Sequence, residues 1–343
     1  MTRLETLDAL ESAVGKRPAT AMLKSISQLD GHCLDVLSLS TFGVLGVLSE
    51  AGRLSSHTIG GPAGVFHTVE PGRLQLPGLP HAGYGRPAGL VAFVAGWGET
   101  LRVNGRLDAD TLIVEEAFLH CAKCVLRSRL WSPLVEHEAT IERSGTTQSS
   151  VLRSGLADPV VSGLLTRAPF ATIATADGAG RADISPKGDP SGLVRLLGNG
   201  EIGIPDRPGN MRRDTFHNIL ERPEVSVLAL MPGEETVVEV TGTAVVDDDP
   251  DLRAIFEVRG NTPVAVMRVR VESALAQRSS AIGAARLWDP KQHVPQGSLP
   301  RASRIWTDHV NATIASAKEA PIPALHEPDL AAGLQADYVQ NLY

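Results

Sequence analysis

The sequence is poor in the features that assign a chain quickly. It has three cysteines, Cys33, Cys121 and Cys124, in 343 residues. An odd number cannot pair fully within the chain and no spaced framework is visible, so a disulfide-stapled secreted fold is excluded and a reduced, cytoplasmic setting is expected. Excess positive charge is missing too: 32 lysines and arginines face 39 acidic residues, for a net charge of −7. A nucleic-acid surface needs a basic face, so no nucleic-acid partner is expected. No apolar run reaches the roughly 18 residues that span a bilayer, so no membrane partner is expected either. The first residues, MTRLETLDALESAVGKRP, lack a signal peptide's apolar stretch and read as a polar amphipathic helix. The rest is ordinary globular composition, 43% hydrophobic and 21% charged, enough for about two domains of roughly 150 residues.

What the chain does have is a copy of itself. Residues 41–80 align without a gap on 169–208, so that Phe42, Gly52, Arg53, Gly60, Pro62, Gly64 and Pro77 meet Phe170, Gly180, Arg181, Gly188, Pro190, Gly192 and Pro205. GWGETLRVNG from Gly96 then matches GEETVVEVTG from Gly233, and Arg129-Leu130-Trp131 matches Arg286-Leu287-Trp288. The period is domain-sized, which means tandem domains and not a solenoid. The expected plan is an N-terminal helical segment (1–40), a first barrel-like unit (41–133), a linker (134–155), a second unit (156–290) and a helical tail (291–343). Within the second unit, short valine-rich runs at 170–176, 192–197, 201–205, 225–231, 236–246 and 264–271 are bounded by Gly, Pro, Asp or Asn, which predicts a mainly β, antiparallel barrel with peripheral helices. One helix is expected from an Asn210 cap to Pro223 and another from an Asp249 cap to Gly260.

The copies have decayed in complementary places. The second keeps Ser185-Pro186-Lys187-Gly188-Asp189 and Pro205-Asp206-Arg207-Pro208-Gly209-Asn210-Met211-Arg212-Arg213, where the first reads His57-Thr58-Ile59-Gly60-Gly61 and Pro77-Gly78-Leu79-Pro80. The first keeps His120-Cys121-Ala122-Lys123-Cys124 and Arg127, where the second reads Gln277-Arg278-Ser279-Ser280-Ala281 and Ala284. Each copy retains what the other lost, so one composite site is expected between them, inside an intrachain pseudo-dimer. Cys121 and Cys124 have the spacing of a redox or zinc pair but lack a second pair, and no metal is expected.

These loops resemble the FMN-binding split barrels of the pyridoxamine 5′-phosphate oxidase-like superfamily, with SPKGD, PDRPGN and AFLHCAK–RSRLW as the shared runs. The resemblance implies two tandem split barrels, FMN in their interface, and an FMN-dependent oxidoreductase acting on a small, planar organic substrate. It implies a cofactor site built from Asp183, Ile184, Ser185, Pro186, Lys187 and Gly188 of one loop and Pro205, Asp206, Arg207, Asn210, Arg212 and Arg213 of another. Lys123, Arg127, Arg129 and Trp131 complete it from the first unit, and His120 and Ser185 are the catalytic candidates. A flavin phosphate is a dianion, for which Lys187, Arg207, Asn210 and Arg212 are the expected anchors. The segment that grips substrate phosphate in the true oxidases reads Arg286-Leu287-Trp288-Asp289-Pro290 here, which leaves the substrate open. Two other readings stay open: a haem-binding or haem-degrading barrel using His120 or His309, and a non-catalytic flavin or deazaflavin carrier. Association of fused chains into a further homodimer is also left open.

Overall fold

The computed structural model describes residues 3–79, 84–132, 153–190, 192–317 and 322–343. Three short helices lead in: α1 (Leu7–Val14), α2 (Ala19–Leu23) and α3 (Gly31–Leu39). The first barrel follows as β1 (Phe42–Leu48), β2 (Leu54–Gly60), β3 (His67–Glu70), β4 (Arg73–Gln75), β5 (Arg86–Phe93), β6 (Thr100–Asp108) and β7 (Thr111–His120), closed by α4 (Lys123–Ser128). The second begins with β8 (Arg153–Ser154) and α5 (Pro159–Arg167), then β9 (Phe170–Ala176), β10 (Ala182–Gly188), β11 (Arg195–Gly198), β12 (Glu201–Pro205) and α6 (Asp214–Glu221). It continues with β13 (Glu224–Leu230), β14 (Thr236–Asp247), α7 (Pro250–Ala254), β15 (Val266–Arg278) and α8 (Ser280–Ala285), and the tail carries α9 (Ala302–Ser316) and α10 (Glu327–Gln340).

The duplication is visible in the pairing. One sheet runs β2-β1-β5-β6-β7-β4-β3 and the other β10-β9-β13-β14-β15-β12-β11, the same order strand for strand and antiparallel throughout. Both copies carry a bulge at the equivalent glycine, Gly105 in β6 and Gly242 in β14, where an added Cβ would sit 1.9 and 2.0 Å from a carbonyl oxygen of the neighbouring strand. Helix α3 stands before β1 as α5 stands before β9, so the repeat begins upstream of residue 41. Most of the expected connection, 134–155, lies outside the described residues; its final residues pair with β15 as β8.

Three apolar clusters hold the molecule together. Each barrel has its own, and a third joins the two. Side chains on a strand alternate between faces, so a strand serving two clusters is buried throughout. This is the case for β1, whose Leu45 and Val47 fill the first barrel while Phe42, Val44 and Leu48 face the second. Its twin β9 sends Ala171 and Ile173 inward and Phe170, Ala174 and Ala176 across. The cross-barrel contacts are reciprocal, as two-fold packing requires. Gly188 lies under the Cys124 carbonyl, 1.9 Å from where its Cβ would be, and Gly60 lies under the Ala281 carbonyl at 2.1 Å. Trp131 and Trp288 meet with ring centroids 6.3 Å apart, each donating its indole N–H to the equivalent carbonyl, Trp97 or Glu234.

Several expected bounds shift. Strand β11 is confined to Arg195–Gly198, and β15 runs on to Arg278. Helix α6 begins at Asp214, not after Asn210: Met211 and Arg213 take positive φ (60° and 54°), which breaks helical geometry before it starts. Helix α7 is capped by Asp249 as expected but ends at Ala254. No described helix is long and apolar enough to cross a membrane.

Candidate functional site

A cavity of about 410 Å³ opens between the barrels. The first barrel supplies His120 from the end of β7 and Cys121, Lys123, Cys124 and Arg127 from the turn and helix that follow. The second supplies Ser185, Pro186 and Lys187 from β10. It also supplies Asp206, Arg207, Asn210 and Arg213 from the irregular stretch before α6. The tail closes one side with Asp337, Asn341 and Tyr343, which sequence reasoning did not anticipate.

Strand β10, which bears Ser185, and β12, which leads into Asp206, lie near opposite ends of the sheet. They approach across the split of the barrel, where Lys187 Nζ is 3.5 Å from Asp206 Oδ1 and 5.4 Å from the Phe216 ring centroid. The cationic side chains on the wall differ in how firmly they are held. Arg207 is held on every side, with Nε 2.8 Å from Asp189 Oδ2 and its other nitrogens donating to the Asn261 and Phe256 carbonyls. Arg127 donates to the carbonyls of Gly188, Pro208 and Leu342. Lys123 is almost fully buried and meets tail residue Asp337 at 2.7 Å. Among the described residues, Arg213 binds only the carbonyls of Lys16 and Met211. Among the described residues, Arg127 and Arg213 thus meet no protein carboxylate at hydrogen-bond distance, and Lys187 meets one, Asp206, at 3.5 Å; of the three, Arg127 is the one already tied to three carbonyls.

The four residues expected to converge on one phosphate do not all meet. Lys187, Arg207 and Asn210 share the cavity, but Arg212 points away from it. Its Nε contacts Asp214 Oδ2 at 2.7 Å and Nη2 contacts Glu116 Oε1 at 2.8 Å, and its guanidinium lies 3.9 Å over the Phe118 ring. Behind that ring, Arg102 pairs with Asp183, which also accepts from Asn104 at 2.9 Å. Burial pushes the Asp183 carboxyl up despite Arg102; burial would do the same to Asp214, but Arg212 and Arg102 hold it down. Asp183 thus belongs to a buried network joining the barrels, and Ile184 to the apolar layer between them. Gly188 and Pro205 do not line the cavity. Arg129 is exposed, a left-handed helix cap at φ 50°, and Trp131 packs on Trp288, away from the cavity it was expected to wall.

Sequence reasoning missed Arg102, Asn104 and Glu116. The available signal was a charge swap: Arg102 of the first copy aligns with Glu239 of the second. His120 is buried between this network and the cavity. Its Nδ1 faces the Asn210 amide nitrogen at 3.0 Å and Arg102 Nη1 at 3.5 Å. Two donors on one nitrogen make it the acceptor, so the neutral ring carries its proton on Nε2. Burial, reinforced by Arg102, Lys24, Lys187 and Arg212, holds this imidazole well below its usual range. His309, the other histidine considered, sits in a separate cluster with Asp30 and Cys33, 3.0 Å from Asp30 Oδ2. Burial pushes the Cys124 thiol up to about 12, leaving it a thiol and not a thiolate near neutrality.

Residues 157–278 match the family model of pyridoxamine 5′-phosphate oxidase. No curated protein matches the chain. Among solved structures, it is similar to HupZ of Group A Streptococcus, at 20% identity over 36% of this chain and 94% of that one, with a TM-score of 0.30. It is also similar to a putative pyridoxamine 5′-phosphate oxidase from Lactobacillus delbrueckii, at 22% identity over 35% and 92% of the two chains and a TM-score of 0.28. A FAD-binding protein from Mesorhizobium loti is 14% identical over 38% and 99%, with a TM-score of 0.25. The second barrel, residues 157–278, thus matches the pyridoxamine 5′-phosphate oxidase family, and the first barrel repeats its strand order.

Proposed function

We propose that the cavity between the barrels binds FMN and that the protein is an FMN-dependent oxidoreductase acting on a small, planar organic molecule. The observation that carries this reading is the cavity's composite wall, drawn from the loops each copy preserved. The wall suits the ligand's charge. Five cationic side chains (Lys123, Arg127, Lys187, Arg207, Arg213) face three acidic ones (Asp206, Asp214, Asp337), an excess of positive charge that suits an anionic phosphate. A volume of about 410 Å³ also lies within the range of cofactor sites. At the twin crevice the positions matching Lys123, Arg127, Lys187 and Arg207 read Ser280, Ala284, Ile59 and Leu79, so each of these four cations has an uncharged counterpart.

When bound, the flavin supplies hydride transfer through N5, and the protein supplies position and electrostatics. Lys187 and Arg213 would hold the phosphate, with Arg207 and Arg127 fixing the backbone around them. Ser185 and Pro186 would edge the ring system. His120, kept neutral, would offer Nε2–H as a hydrogen-bond donor and not act as a cationic acid.

Purified protein titrated with FMN should bind close to one equivalent per chain, read from the flavin visible bands. Lys187→Ala should weaken binding at least tenfold, and Arg129→Ala, outside the cavity, should leave it unchanged. A colourless protein that ignores FMN overturns the reading. A haem iron would need the other neutral tautomer of His120, with the proton moved off Nε2 so that this nitrogen can ligate. A Soret band on adding hemin, without FMN uptake, would move the assignment there.

A further inference from the structure

A second cavity, of about 270 Å³, lies beside the first, and Cys121, Asn210, Met211 and Asp337 border both. Its other walls come from outside the duplicated barrels: Ala21 of α2, Val310 of α9, and Leu330 and Leu334 of α10. These walls are apolar, yet two buried donors stand among them with no acceptor among the described residues. Lys24 is 2% exposed and lines the cavity; its Nζ lies 4.4 Å over the Trp306 ring and 5.6 Å over Phe118, and no hydrogen bond to the amine is seen among the described residues. Trp306 lines the same space, and its buried indole N–H has no partner there either. Buried donors are almost always satisfied, and leaving one unmade costs about 1–3 kcal/mol. Two of them beside an apolar cavity suggest that the missing acceptor is a ligand.

We infer that this chamber is the organic substrate's seat and takes an aromatic carboxylic acid of one or two rings, its carboxylate received by Lys24. The size follows from volume, since a cavity of about 150 Å³ holds one benzene ring and this one is less than twice as large. The acid follows from the donors. Burial is the main reason the Lys24 amine is held down to about 7; Cys121 and Asp214 pull it up, while Arg212 and Arg102 push it down. An undissociated acid can pass its proton to this amine on entry, so the ion pair forms without stranding a lone charge in an apolar space.

Calling the acid a substrate rests on the FMN reading; the chamber itself can be tested without flavin. The full chain is titrated by calorimetry with 2-naphthoate and with its neutral isostere 2-naphthamide. Naphthoate should bind at least tenfold more tightly than the amide. Lys24→Met should lose that preference, and Leu334→Trp, which fills the chamber and leaves the amine in place, should abolish binding of both while a cooperative melt is retained. Equal binding of acid and amide by the wild type, or undiminished naphthoate binding by a folded variant of either kind, overturns the inference. A separate FMN titration tells the two failures apart. Naphthoate preference without FMN uptake keeps the chamber and sinks the oxidoreductase, and FMN uptake without naphthoate preference does the reverse.

Discussion

Single side chains set the electrostatic character of this molecule, and Glu99 gives a clean example. Burial pushes its carboxyl up to about 7 from an ordinary value of 4.5. A carboxyl raised by folding is content while protonated, so its contribution is complete below the ordinary value and is lost as pH climbs through the folded one. Wild-type stability should therefore fall by roughly 2 kcal/mol between about pH 4.5 and 7 from this group alone, its partly wet edge trimming the full linkage value. Glu99→Gln should flatten that slope in denaturant titrations across the range, and an unchanged slope would discard the account. At this scale the sequence was informative wherever a residue had a counterpart to be compared with. Lys187 and His120 stood out because Ile59 and Gln277 occupy their twin positions. Lys24 and Asp337 lie in segments with no counterpart, and nothing local marks a lysine whose surroundings are built by helices nearly three hundred residues later. The importance of Arg207 and Arg212 was legible, but not that protein carboxylates already engage both, because those partners can only be identified once the chain has folded.

Among the elements, the pairing of α4 with β10 decides the shape of the cavity. Gly188 allows the approach, since a methyl group there would meet the Cys124 carbonyl oxygen at 1.9 Å. Gly188→Ala should destabilise the protein by about 2 kcal/mol or more, because a backbone atom and not a flexible side chain must yield. It should also weaken FMN binding, as α4 carries Lys123 and Arg127 away with it. Gly60→Ala makes the same collision with Ala281 at 2.1 Å on the opposite side. It should cost comparable stability and leave FMN binding intact; equal loss of binding in both variants would show that the effect is general loosening. The strands were largely readable, with Phe170–Ala176 and Glu201–Pro205 falling where alternation and turn residues put them. The start of α6 was not, because Asn210 has the chemistry of a cap. Its side chain does accept from the Arg212 N–H at 3.1 Å, but the backbone turns left-handed on either side before the helix forms.

For the molecule as a whole, the buried polar network is the firmest test of how tightly the barrels are coupled. Arg102 and Asn104 come from one barrel and Asp183 and Asp214 from the other, and all four are buried. Removing one member strands the rest, so Arg102→Met should cost about 3–5 kcal/mol in chemical denaturation. Adding Asp183→Asn to that variant should recover part of the loss, a non-additivity that independent barrels would not show. The duplication itself was legible, though not where the first copy begins, because both copies kept their glycines, prolines and aromatic anchors in register. The covalent tie has a further consequence at the β2–α8 side. In a symmetric dimer every substitution is expressed twice, so one crevice cannot change without altering its mate. Here Ile59, Ser280 and Ala284 can be randomised while the opposite side keeps its wild-type lining, which makes the disused crevice a ready place to evolve or engineer recognition of an unrelated small molecule.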